Sequence, residues 1–167
     1  MNKLLFFLFV CISCLSATKI QGSIHMQGIE ILYAPPTAKE FVDLRAIAGM
    51  KERKVPSAEK GIPNSLFWIT VRSHGKLIGM GRVVGDGGTV VQITDIAIDP
   101  EYRRKGYASI IFDAIQKFIL EEIPDDAFVC LFAEKELASF YESRGFQFAH
   151  EKWPGMYWAC LDRTKLK

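Results

Sequence analysis

The chain has 167 residues, 49% of them hydrophobic, which is enough to bury one sizeable core and reads most simply as a single domain. Its formal charge of +2 sets 21 basic against 19 acidic residues, and the basic ones are scattered apart from Lys51 to Lys60 and Arg103 to Lys105. Nothing in that pattern suggests a nucleic-acid face, and no repeat or low-complexity segment is visible.

The first 25 residues differ in kind from the rest. Met1-Asn2-Lys3 starts positive, Leu4 to Leu15 is an almost unbroken apolar run, and Ser16-Ala17 supplies small residues for cleavage, the pattern of a secretory signal peptide. The run is too short to span a bilayer comfortably, so no stable membrane span is expected. Cys11 and Cys14 read as small hydrophobic residues inside it, leaving Cys130 and Cys160, which make neither a disulfide framework nor a zinc site. Residues 1–25 are therefore either a true leader or an extension outside the working domain, which would run over 26–167. Without Lys3 and Lys19, 19 basic residues face 19 acidic ones.

From Met26 onward the elements follow one another closely. Ile29 to Tyr33 is predicted as a first, edge-type strand, ended by Pro35-Pro36. Thr37-Ala38-Lys39-Glu40 has capping-box spacing and opens a helix carrying Phe41, Leu44, Arg45 and Ala48, stopped by Gly49. Met50 to Ser65 is a basic stretch interrupted by prolines, read as a solvated loop with room for a short helix, the alternative being that its charges meet an acidic ligand or a phosphate. Leu66 to Arg72 and Leu77 to Val84 form a hairpin around Ser73-His74-Gly75-Lys76, with Gly79 and Gly81 signalling a bulge or close contact. Asp86-Gly87-Gly88 then turns the chain into a strand from Val90 to Ile98.

That strand closes at Asp99-Pro100, and from Tyr107 the period changes. Ile110, Ile111, Ala114, Ile115, Phe118 and Ile119 recur at helical spacing as a stripe that must pack on a sheet. Between strand and helix lies Arg103-Arg104-Lys105-Gly106-Tyr107-Ala108. Three cations there precede the unpaired N–H groups and positive dipole of a helix start, and Gly106 and Ala108 leave the backbone uncovered, so a phosphate-bearing ligand fits the turn. A solvated basic loop is the alternative. Phe128 to Phe132 follows as a short strand, Leu137 to Arg144 as a helix ended by Gly145, and Phe146 to Glu151 with Met156 to Leu161 as a last hairpin.

Arg103-x-x-Gly106-x-Ala108 after Ile96-Ala97-Ile98-Asp99-Pro100 resembles the acyl-CoA-binding motif of the GNAT superfamily of N-acetyltransferases, and the resemblance covers roughly Ile29 to Leu161. It implies an α/β (α+β) domain with the three-layer acyl-CoA N-acyltransferase fold, a mixed, mostly antiparallel sheet flanked by helices. It also implies acetyl-CoA as cosubstrate and no metal. The turn residues Arg103, Arg104, Lys105, Gly106, Tyr107, Ala108 and Ser109 would hold the pyrophosphate, and the backbone of Ile96, Ala97 and Ile98 the pantetheine arm. The Ile96 amide would serve as oxyanion donor. Tyr141, in Tyr141-x-x-x-Gly145-Phe146, matches the tyrosine that faces the coenzyme sulfur in many members, where a phenol can protonate the departing thiolate. Core packing is the other reading of Tyr141. Glu134 stands where members commonly carry asparagine, which puts that coenzyme contact in doubt.

The general base is the open point. On a regular strand Gln92, Thr94 and Ile96 share one face and Asp95 takes the other, and some members place an acid at the positions of Gln92 or Thr94. Both are uncharged here and read as substrate-facing. Water-mediated deprotonation is expected, assisted by Asp95 if a bulge turns it inward, with a structural hydrogen bond as its alternative. The expected reaction is direct acetyl transfer from acetyl-CoA to a primary amine of a small, partly apolar molecule. A non-catalytic coenzyme A sensor and an exported enzyme acting on a protein amine are the competing readings. A cytoplasmic location follows from the cosubstrate, secretion from a genuine leader, and a homodimer from family habit alone.

Overall fold

The computed structural model describes residues 23–26, in backbone only, and 28–148. The chain divides into two compact units, the first ending at Leu131 and the second starting at Phe132. Residues 1–22 of the leader-like segment lie outside the described residues, as do Cys160 and all of the expected final hairpin beyond Phe148.

The first unit is a six-stranded sheet in strand order equal to chain order. Its strands are β1 (Ser23–Met26), β2 (Ile29–Leu32), β3 (Phe67–Ser73), β4 (Lys76–Gly85), β5 (Val90–Ile98) and β6 (Phe128–Leu131). Neighbours are antiparallel except β5 and β6, which are parallel and joined by helix α3 (Tyr107–Glu122). The sheet is mixed and mostly antiparallel, as expected. Ile29 does not open an edge strand, however: β1 pairs outside it, with Ser23 opposite Leu32.

Local chemistry explains most boundaries. Thr37 caps α1 (Ala38–Ile47) through a complete capping box: Glu40 N–H donates to Thr37 Oγ1 at 3.2 Å, and Thr37 N–H donates to Glu40 Oε2 at 2.9 Å. The basic stretch does contain a helix, α2 (Val55–Gly61), with Pro56 in its first turn. At the β3–β4 turn His74 and Gly75 both have positive φ, 49° and 81°, the geometry that matches strand twist in a two-residue hairpin.

The helices lie on opposite faces. Phe41, Leu44, Ala58 and Ile62 from the α1–α2 side pack with Trp68, Leu77, Met80 and Ala97 of the sheet. On the other face α3 crosses β3, β4 and β5 with Ile111, Phe112 and Ile115 fully buried. Its buried stripe is turned towards Phe112 relative to the expected one, and Ile110 is exposed. Gly79 and Gly81 let this helix approach: a Cβ at Gly81 would stand 2.6 Å from Ile111 Cγ2. The second unit, as described, holds a short turn at Lys135–Leu137 leading into α4 (Ala138–Glu142).

Candidate active site

At the end of β5 the chain is pinned before it turns. Asp99 N–H donates to the Ile78 carbonyl at 2.8 Å, and its buried carboxylate accepts from Glu101 N–H at 3.1 Å and Lys76 Nζ at 2.8 Å. The Lys76 ammonium holds that carboxyl below its ordinary range. A single helical turn, Pro100–Tyr102, follows, and Arg103 reaches back to donate to the Ala48 carbonyl at 2.8 Å, tying the turn to the end of α1. Arg104 and Gly106 then take φ of 61° and 85°, the left-handed conformation that turns successive amides towards one concavity at the start of α3.

The result is a hollow of about 220 Å³ bounded by Ile98, Tyr102, Arg103, Arg104, Gly106, Tyr107, Ala108 and Ser109. Among the described residues, its chain neighbours aside, a Cβ on Gly106 would meet no atom within 4 Å, which leaves room for a ligand beside it. Lys105 Nζ lies 4.8 Å over the Tyr102 ring at its edge. A diphosphate fits this donor set: backbone amides at a 16-residue helix start, with cations alongside. Of the turn residues named from the sequence, Arg103, Arg104, Gly106, Tyr107, Ala108 and Ser109 line this hollow and Lys105 does not, with Ile96 and Ala97 on the strand leading to it.

The sheet is forked beside that strand. β6 pairs with β5 only from Val90 to Ile93, and ends at Leu131. β5 continues through Thr94 to Ile98 with β4 as its strand partner. Among the described residues no strand other than β4 pairs with β5 beyond Ile93, and Ile96 and Ile98, expected to align an extended ligand arm, lie in that half.

Opposite the fork lies a correction to the regular strand pattern. Between Met80 and Arg82 the β4–β5 register shifts, so Gly81 opposes both Asp95 and Ile96, and Asp95 has φ 56°. The bulge turns Asp95 to the α1 side with Thr94 and Gln92, while Ile96 goes to the α3 side, where it would touch a Cβ at Gly81. Asp95 is buried and its two oxygens accept from two guanidiniums, Oδ1 from Arg45 and Oδ2 from Arg82 Nε at 2.6 Å. Arg82 also donates to Ser65 Oγ at 3.1 Å and sits over the rings of Phe41 and Trp68 at 5.4 and 5.2 Å. Beside it a second pocket, about 160 Å³, is bounded by Phe41, Arg53, Ser57, Ala58, Gly61, Ile62 and Arg82.

The sequence alone does not single out Arg45 or Arg82 as site residues. The available signal was Arg45 itself: a cation on the apolar face of α1 needs a buried counterion, and Asp95 is that partner. Arg53, within the stretch read as a solvated loop, is exposed but lines the pocket.

In the second unit Tyr141 is half-buried on α4. Its ring meets Phe140 edge-on at 5.1 Å and Phe146 at 6.4 Å, and its carbonyl accepts from Phe146 N–H across the Gly145 turn. Burial pushes its phenol above the ordinary value, against an opposing pull from Arg144. Cys130, on β6, is a free thiol.

A mixed sheet whose β5 runs on past β6 to a turn-lined hollow at the start of a long helix is the architecture of an acyl-CoA-dependent acyltransferase. The family model described as an acetyltransferase (GNAT) domain matches residues 63–148, and the chain belongs to the GNAT acetyltransferases. Among solved structures, a probable acetyltransferase from meticillin-resistant Staphylococcus aureus is 39% identical with a TM-score of 0.75, over 79% of this chain and 99% of that one. Among curated relatives, GCN5-related N-acetyltransferase 2, chloroplastic, from Arabidopsis thaliana is 32% identical over 50% of this chain and 31% of its own length. Histone acetyltransferase TAP1 from Glycine max is 25% identical over 77% of this chain and 61% of its own. The chain thus spans less than two thirds of these curated relatives. Among the described residues no helix is long and apolar enough to cross a membrane.

Proposed function

We propose that this acetyltransferase moves the acetyl group of acetyl-CoA directly to a primary amine of a small molecule. The observation that carries the reading is the left-handed Arg104–Gly106 turn set at the end of a strand that outruns its neighbour. In this reading the turn amides and Arg103 to Ser109 hold the diphosphate, and the β5 backbone at Ile96, Ala97 and Ile98 aligns the extended arm. The Ile96 amide donates to the carbonyl oxygen as it gains charge, a contribution of about 3 kcal/mol for such donors in other enzymes. The amine loses its proton, forms the C–N bond as the C–S bond breaks, and Tyr141 gives a proton to the sulfur. Both oxygens of Asp95 already accept from guanidiniums, so the amine proton leaves through water, and Asp95 acts by holding the bulge beside Gln92 and Thr94.

Need for acetyl-CoA favours the cytoplasm, with residues 26–167 as the working domain; sequencing the native N-terminus tests both. The soybean relative is named for histone acetylation, which supports a second reading in which the amine belongs to a protein. Calorimetric titration of coenzyme A together with thiol release across small amines and peptides separates the alternatives. Uptake is expected to fall at least tenfold in Gly106→Val, whose side chain is strained at φ 85°, about 1.4 kcal/mol. No uptake by a folded sample, or uptake unchanged in the variant, would sink the proposal. Uptake without turnover of any amine favours a sensor, and turnover of peptides alone favours the protein acceptor.

A further inference from the structure

We infer that the pocket beside the β5 bulge binds a carboxylate carried by the acceptor, so that the amine acetylated is an amino acid or a similar small acid; this rests on the acetyl-transfer reading above. The argument is one of charge. Three guanidiniums gather here: Arg45 and Arg82 both end their ion pairs on the single carboxylate of Asp95, and Arg53 shares the pocket wall with Arg82. Arg53 and Arg82 are also near enough to Arg45 to add to burial in pushing its pKa down, against the pull of Asp95. Among the described residues Asp95 is the one anion paired with Arg45 and Arg82, and Arg53 makes no ion pair. Arg82 is partly buried on the pocket wall and shares its carboxylate with Arg45, so an anion entering beside it and the exposed Arg53 is favoured by charge.

The donors are also disposed to receive one. Arg82 spends Nε on Asp95 and Nη1 on Ser65, and its Nη2 makes no hydrogen bond among the described residues. Arg53 spends Nη1 on the Glu52 carbonyl at 3.1 Å, leaving the rest of its fork. A guanidinium fork matches a carboxylate in two parallel hydrogen bonds. Across the same pocket Phe41, Ala58 and Ile62 offer an apolar wall for a short carbon skeleton. The coenzyme has its own anion hollow at the start of α3, lined by none of these residues.

The test uses matched acceptors, an amino acid and its carboxamide, with calorimetry on the protein saturated with coenzyme A and kcat/KM from thiol release. Arg53→Gln is the informative variant because Arg53 is exposed and outside the Asp95 ion pairs. The acid is expected to bind about tenfold or more tightly than the amide in the parent protein, with the difference largely gone in R53Q and coenzyme A affinity equal in both. Equal affinity of acid and amide, or a preference untouched in R53Q, overturns the anion site. A fall in coenzyme A affinity in R53Q also overturns it, by giving Arg53 to the coenzyme. An acid that binds through Arg53 with no turnover of any amine keeps the anion site and defeats acetyl transfer instead.

Discussion

Asp95 occupies a left-handed conformation that aspartate and asparagine tolerate better than other side chains with a Cβ, and it is the counterion of a buried arginine. Asp95→Asn keeps the shape and removes the charge, stranding Arg45, so denaturant stability is expected to drop by about 3 kcal/mol. If the amine proton leaves through water, the residual activity keeps the shape of its pH–rate profile; loss of the acidic limb would instead make Asp95 the base. Tyr141 poses the opposite question. A phenol that must donate has to stay protonated, and burial raises its pKa, so activity persists through neutral pH and fails only as pH climbs past the ordinary value of 10.0. Tyr141→Phe is expected to lower kcat about a hundredfold, erase that alkaline limb and leave coenzyme A affinity unchanged. Both residues could be named from the chain, Asp95 with its condition attached. The bulge that decides its direction could not, because it depends on how β4 and β5 come into register.

At the scale of elements, the contact between α3 and the sheet is set by two missing side chains. A methyl at Gly81 would press on Ile111 at 2.6 Å and Ile115 at 3.0 Å, so the helix has to lift or its side chains leave their preferred rotamers. Gly81→Ala is expected to cost about 1–3 kcal/mol, seen as a fall in Tm of several degrees. A melting point equal to the parent's would show that α3 yields easily. The glycines were legible as a sign of bulge or close approach, and both occur. The helical period also located α3, but its buried stripe is rotated towards Phe112, since the crossing of helix over strands selects the face within an apolar segment that has several candidates.

Across the whole molecule, the first unit is laced by ion pairs that join helices to sheet. Arg72 on β3 grips Glu40 of α1 at 2.6 and 3.1 Å, and this hydrogen bond, foremost, takes the Glu40 carboxyl from 4.5 to about 2. A depressed carboxylate stabilises the fold above its unfolded pKa and ceases to do so as pH falls through the folded one. The stability gap between the parent and Arg72→Gln is expected to be about 1–2 kcal/mol at neutral pH, after discount for partial exposure, and to close between pH 4.5 and 2. Urea melts of both proteins across that range check it; a gap independent of pH would mean that Arg72 acts through packing alone. The order of elements from Ile29 to Leu131, the capping box at Thr37, the turn before α3 and the acetyltransferase family were readable along the chain, because each rests on neighbouring residues and on backbone preferences that short segments express by themselves. The outer strand β1, the turn of Asp95 towards α1, the meeting of Arg45 and Arg82 on its carboxylate and the placing of Arg53 beside Arg82 were decided only in three dimensions. Those features join residues up to 50 positions apart, where pairing register and the cost of burying charge, not local propensity, choose the neighbours.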